Sequence, residues 1–209
     1  MSYDQQDAAV DALFDQISGE VYPEHKAQAI EEFVKERMQS YFLKYPEILQ
    51  RPDDCFHHAS QLKEKSPRCA LVMYATATEL FLKSVILKPT LYGMFHNEKV
   101  AEDIVESVTK QGGLSRYKSL LDGLCFQVAG IQLNEISGVD NKPILREVDA
   151  IHRIRNGVLH NGKDVEPEKV EKAREITRLV CHRLVVPVLV NLDLDVAKNE
   201  SGFIIIQST

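Results

Sequence analysis

Between Cys69 and Leu87 the chain is apolar on nearly every side of the helix that its spacing describes, interrupted only by Thr76, Thr78, Glu79, Lys83 and Ser84. A helix without a polar face has to be enclosed by neighbours, so this segment predicts the central helix of the molecule. Ser66-Pro67 opens it, because the hydroxyl caps free backbone donors and proline is tolerated in the first turn. Lys88-Pro89 is expected to close it, since proline lacks a backbone donor and its ring clashes with the carbonyl four residues back.

The rest of the chain also reads helix after helix. Asp4 to Ile17 predicts a short helix. Pro23 to Lys44 carries Ala27, Ile30, Phe33, Val34, Met38, Tyr41 and Phe42 close to the spacing of one buried face. Pro46 and Pro52 segment a less regular stretch up to Lys65. Residues 1–65 are therefore expected to form an N-terminal helical extension to a domain spanning 66–190. Glu98 to Lys110 and Leu114 to Val128 predict two helices separated by Gly112-Gly113. The loop Ser137 to Pro143 leads into a helix with Ile144, Val148 and Ile151 as its inward stripe and Asp140 or Asn141 as its cap. A closing helix from Pro167 to about Val186 buries Val170, Ala173, Ile176, Val180 and Leu184. In the tail, residues 191–209, Leu192-Asp193-Leu194 alternates and Phe203 to Ile206 favours strand, which predicts a small hairpin turning at Asn199 to Gly202. The expected class is an all-α bundle with that hairpin appended.

Composition narrows the function. A content of 44% hydrophobic and 27% charged residues is that of an ordinary globular protein. Met1 to Asp7 is polar and acidic, unlike a secretory signal, and the longest apolar run, Leu184 to Val190, is broken by Pro187. No membrane span is expected, and the expected location is the cytoplasm. The four cysteines, Cys55, Cys69, Cys125 and Cys181, are widely separated, so neither a zinc site nor a disulfide framework is indicated. Asp53, Asp54, Cys55, His57 and His58 form the one cluster with metal-ligand chemistry, but their spacing matches no closed zinc pattern, and no metal or other cofactor is expected. The net charge of -6 argues against a surface that grips nucleic acid everywhere. From Lys142 to Lys163 the balance inverts, with five cations (Lys142, Arg146, Arg153, Arg155, Lys163) against two acids (Glu147, Asp149).

That basic neighbourhood contains Arg155-Asn156-Gly157-Val158-Leu159-His160, which combines a permanent cation, an amide and an imidazole titrating near neutral pH. These groups suit metal-free cleavage of a phosphodiester, in which the protein moves a proton and stabilises charge on the phosphorane-like transition state. Continuing the stripe Ile144, Val148, Ile151 arrives at Arg155, which places that side chain toward the packed side. Residues five apart on a straight helix lie about 140° apart around the axis, so Arg155 and His160 diverge while Asn156 and His160 share a face. A kink near Gly157 or a second protomer would bring cation and imidazole to one phosphate. Glu79, alone on an apolar helix, needs a cation; Arg155 is one candidate and Lys83, one turn on, is the other. His152, one turn before Asn156 and two before His160, is placed to join the site, with a surface imidazole as the competing reading.

In type and spacing Arg155, Asn156 and His160 match the hallmark of the HEPN superfamily, which the chain resembles. The resemblance runs more loosely from Pro67 to Val186, with an acid and a lysine on an early helix, the motif helix late and a closing helix after it. It implies a metal-independent endoribonuclease of toxin–antitoxin, phage-defence or stress systems, active as a homodimer with facing motifs and answering to an antitoxin or other regulatory protein. Its products would be a 2′,3′-cyclic phosphate and a 5′-hydroxyl. On that reading Arg155 stabilises transition-state charge, His160 is general base or acid, Asn156 orients His160 or a phosphate oxygen, and Glu79 with Lys83 supports Arg155. Arg153 and Lys163 flank the motif as RNA contacts, and Arg174, Arg178 and His182 recur every four residues on the closing helix, where a plainly solvated face is the competing reading. Many members carry a modifiable tyrosine just after the histidine. Here Asn161-Gly162 follows, so that control is not expected. The alternative class is a catalytically silent module of the same type that binds nucleotide, RNA or a protein in the same groove.

Overall fold

The fold is that of a computed structural model, which describes residues 28–95, 97, 99–101, 103, 104, 107, 117–199 and 204–209. Helix α1 covers 28–44, α2 Gln50–Leu62 and α3 Pro67–Met94. Residues 99–101, 103, 104 and 107 are helical. Helix α4 is Lys118–Ala129, α5 is Ile144–Asn161, and α6 runs through the consecutive segments Pro167–Val180, Cys181–Val185 and Val186–Asn191. Strands β1 (Leu194–Lys198) and β2 (Ile204–Ser208) form an antiparallel pair in register from Leu194 opposite Ser208 to Lys198 opposite Ile204. The helix expected at Asp4 to Ile17, the Gly112-Gly113 break and the turn residues 200–203 lie outside the described residues.

The apolar helix α3 is central, packed against α2, α5 and α6. Leu71, Tyr74, Leu82, Ile86 and Leu87 on it are fully buried, and Met38 and Phe42 of α1, Leu121 of α4, Val148 of α5, Ile176 of α6 and Ile206 of β2 join the same core. The described part of the first 65 residues thus shares its core with 66–190. The hairpin is tied down at its outer edge, where the Ile206 amide donates to the Pro46 carbonyl at 2.8 Å and the Ile204 amide to Gln50 Oε1 at 2.9 Å. Those bonds blunt a strand edge that would otherwise be open to pairing.

Several expected boundaries are corrected by one piece of backbone chemistry. Pro89 does not end its helix, because Phe81–Leu87 winds as a π-helix and the Lys88 amide donates to the Lys83 carbonyl, five residues back. The wider turn absorbs the proline ring that a tight α-turn would not tolerate. Pro187 is accommodated identically: Cys181–Val185 is π-helical, the Val186 amide donates to the Cys181 carbonyl, and α6 continues to Asn191. The apolar helix therefore reaches 28 residues, long and apolar enough by length and composition to cross a bilayer, contrary to the expectation of no such run; most of it is buried in the bundle. Pro52 likewise does not disrupt the stretch before Lys65. It sits in the first turn of α2, where its missing donor costs nothing. Leu192 is buried just past the end of α6, its amide on the Val188 and Leu189 carbonyls, and the first strand begins at Leu194.

Neither Asp140 nor Asn141 caps α5, which starts directly after Pro143 without a side-chain cap. The loop is organised by Glu147 instead. Only 2% exposed, its carboxylate accepts the amides of Val139 (2.9 Å), Asp140 (2.8 Å) and Lys142 (3.3 Å). Gly138 makes that approach practicable, since a Cβ there would lie 2.4 Å from Glu147 Cδ.

Polar groups inside the α3–α6 contact are paired. Thr177 Oγ1 donates to the Ala173 carbonyl (2.8 Å) or the Tyr74 carbonyl (3.2 Å) and lies 2.9 Å from Thr78 Oγ1, itself 3.0 Å from the Tyr74 carbonyl. Thr177→Val keeps the shape, and Thr78 keeps an acceptor. The expected loss is therefore about 1 kcal/mol, read as a lower urea midpoint at unchanged m-value.

Candidate active site

The apolar stripe of α5 sets the register of the site. Ile144, Val148 and Ile151 are buried, and one turn further along the same side Arg155 is 29% exposed, at the edge of the α3–α5 contact. Its Nη2 lies 4.0 Å from Glu79 Oε2, its Nη1 donates to Asn156 Oδ1 at 3.2 Å, and its Nε is buried without a hydrogen-bond acceptor. Glu79 also accepts from Lys83 Nζ at 2.6 Å. Lys83, Glu79, Arg155 and Asn156 thus form a chain of charge-assisted contacts running from α3 onto α5. Both partners foreseen for Glu79 are present, with Lys83 the closer. Burial works to raise the Glu79 carboxyl, but the hydrogen bond and charge of Lys83, followed by His152 and Arg155, outweigh it and hold the carboxyl below its usual range.

Asn156 and His160 share the outer face, as their spacing requires, and both are exposed. The helix runs unbroken through Gly157 to Asn161 and stops at Gly162 in the left-handed conformation (φ 61), so the kink near Gly157 is not realised. Within one protomer the Arg155 guanidinium bends toward Asn156, while His160 stands a turn further along. Asn156 Oδ1 accepts from Arg155, a contact outside the two roles expected of it, orienting His160 or a phosphate oxygen.

Of the flanking cations, Arg153 is exposed. Lys163 leaves the helix with its amide on the Gly157 carbonyl at 3.3 Å and its stem across Gly157, where a Cβ would lie 3.3 Å from Lys163 Cδ. That crossing keeps the lysine beside the motif. Arg174 and Arg178 are engaged on their own helix, Arg174 by Glu171 and Arg178 by Glu175 at 3.1 Å. Glu171 is shared with Lys63 at 2.5 Å. Their stripe is a solvated ion-pair ladder with little net charge. Among the described residues no three His, Cys, Asp or Glu side chains converge on a metal position; Asp53 pairs with His57 at 3.2 Å.

Two residues near the motif helix, Arg68 and Lys118, carry no signal in the sequence. Arg68, at the start of α3, donates to the Gly162 carbonyl at 3.3 Å and lies 3.6 Å from Asp164, a cation at the carbonyl end of α5. Lys118 of α4 is ion-paired with Asp149. Neither contact has a local signal, because the partners are far apart in the chain. Of the two readings of His152, the surface imidazole is not realised: the ring is half-buried against α3 beside Glu79, Arg155 and Lys83, with Nε2 out of water and without a hydrogen-bond partner.

Burial is the main cause that lowers the His152 pKa; Glu79 opposes it, and Arg155 and Lys83 add to the lowering. The native state therefore binds fewer protons than the unfolded chain once the pH drops below about 6.5. Stability present above that pH is lost as acidification proceeds toward the lowered native value. The melting temperature is expected to hold near pH 7 and to fall as the pH drops below about 6.5, with a smaller fall in His152→Gln. Parallel melting curves for the two proteins would show that this imidazole plays no part.

No family model matches this chain, and neither a curated protein nor a solved structure matches it.

Proposed function

We propose that the protein is a metal-independent endoribonuclease of the HEPN type, cutting RNA by attack of the 2′-hydroxyl. The observation that carries this reading is the Arg155 guanidinium, pinned between Glu79 and Asn156 on a helix that presents His160 to solvent one turn beyond. A cation fixed in advance stabilises developing charge without reorganising when the reaction occurs, and an exposed imidazole is placed to pass a proton to or from a bound strand. The divergence of Arg155 and His160 along one straight helix favours a homodimer, in which each motif receives the complementary group from the other copy. A cytoplasmic toxin or defence enzyme restrained by an antitoxin or other regulatory protein fits such chemistry.

The second reading is a silent module of the same type that binds nucleotide, RNA or a protein partner at this face. The limited exposure of Arg155 favours it. Incubating the full chain with mixed RNA in EDTA separates the two. Cleavage to 2′,3′-cyclic phosphate and 5′-hydroxyl ends is the expected result, whereas binding without cleavage between about pH 6 and 9 would replace the enzyme by the silent module.

A further inference from the structure

The outer face of α5 carries more charge than the motif uses. Arg146, Arg153 and His160 follow one another at seven-residue intervals, a drift of only about 20° per step, and Asn156 lies between the last two on the same side. All four are exposed, as is Lys163 beyond the helix end. From Arg146 to His160 the stripe is about 21 Å long. The acid on it, Asp149, is taken by Lys118, and Glu147 is turned inward onto its loop. Arg146 and Arg153 have no acidic partner among the described residues, in contrast to Arg174 and Arg178. On a chain of net charge -6, this strip is a local excess of positive charge.

We propose that a single RNA strand lies lengthwise on this face, its phosphates held by Arg146, Arg153 and Lys163 on the two sides of Asn156 and His160. The placement of the scissile linkage rests on the endoribonuclease reading; the binding track does not. A polyanion is the occupant that complements a row of cations flanking an amide and an imidazole. Lys118 supports the same conclusion. Burial lowers its ammonium, and the positive fields of Arg153 and Arg146 lower it further, which places Lys118, with its partner Asp149, in the same cationic neighbourhood.

The test uses the full chain and a fluorescein-labelled single-stranded DNA oligonucleotide, which has no 2′-hydroxyl and survives intact. Affinity is measured by anisotropy against salt concentration. Each phosphate contact contributes about 0.7 to the slope of log K against log salt for single strands, so Arg146→Gln and Arg153→Gln are each expected to reduce the slope by about 0.7 and the double variant by about 1.4. Lys169→Gln, whose lysine pairs with Glu166 on α6, is the fold-matched control and leaves it unchanged. An unaltered slope in the double variant, or no binding by the parent, overturns the track even if RNA cleavage is observed. A reduced slope in a protein that never cleaves RNA keeps the track and removes the nuclease. Binding of a poly-glutamate peptide in place of the oligonucleotide overturns it in favour of an acidic protein partner.

Discussion

Arg155→Ala is expected to slow metal-free RNA cleavage by about 10²- to 10³-fold, the usual cost of removing a donor aimed at charge that develops in the transition state. The guanidinium touches Glu79 on one side and Asn156 on the other, and a planar fork makes both contacts at once. Arg155→Lys keeps the charge but offers a single ammonium, so its rate is expected to fall between parent and alanine variant. His160→Ala is expected to cost a similar factor and to flatten the pH–rate profile, since the imidazole supplies the proton transfer. Single-turnover cleavage in EDTA reads all three. Removing Arg155 also strips one cation from Glu79, but Lys83 at 2.6 Å retains its carboxylate, so the fold is expected to survive and melting curves check that. A folded Arg155→Ala protein that cleaves at the parental rate would reduce the arginine to a structural ion-pair residue.

The largest stability effect is expected at Glu147. Glu147→Ala leaves the amides of Val139, Asp140 and Lys142 facing a space that the carboxylate filled. Unmet buried donors cost about 1–3 kcal/mol each, and partial access of water to the loop reduces the sum to roughly 3 kcal/mol. Glu147→Gln fits the space but turns an amide donor toward backbone donors, so a smaller loss is expected. Gly138→Ala reaches the same site from the other side, because its Cβ would overlap the carboxylate carbon at 2.4 Å. Urea unfolding followed by helical circular dichroism measures each variant. Wild-type midpoints for Glu147→Ala and Gly138→Ala would mean that the loop does not depend on this carboxylate.

Glu147 also shows where reading the chain stops being sufficient. In sequence it is one of two acids opposing five cations, a surface charge like any other. In the fold it is 2% exposed and organises the loop before α5, because that loop curls back over the first turn of the helix. The burial of His152 is hidden in the sequence for a related reason. Its position on α5 is plain from periodicity, but its burial depends on how closely α3 approaches, which the spacing along α5 does not encode. The π-turns before Pro89 and Pro187 belong with these. Proline signals a local stop, and only the gain from keeping long apolar helices buried against each other makes a wider turn worthwhile.

Periodicity and side-chain chemistry alone determined the all-α class, the central place of the apolar helix, the inward direction of Arg155, the shared face of Asn156 and His160 and the need of Glu79 for a cation. Each follows from the pitch of a helix and the cost of burying charge, which act within a few residues. Tertiary structure alone decided that Arg155 of α5 meets Glu79 of α3, that Glu147 folds into the loop before α5, and that Arg68 and Lys118 reach α5 from distant helices. Those outcomes turn on which helix faces come into contact across long separations in the chain, and that is set by the packing of the whole core.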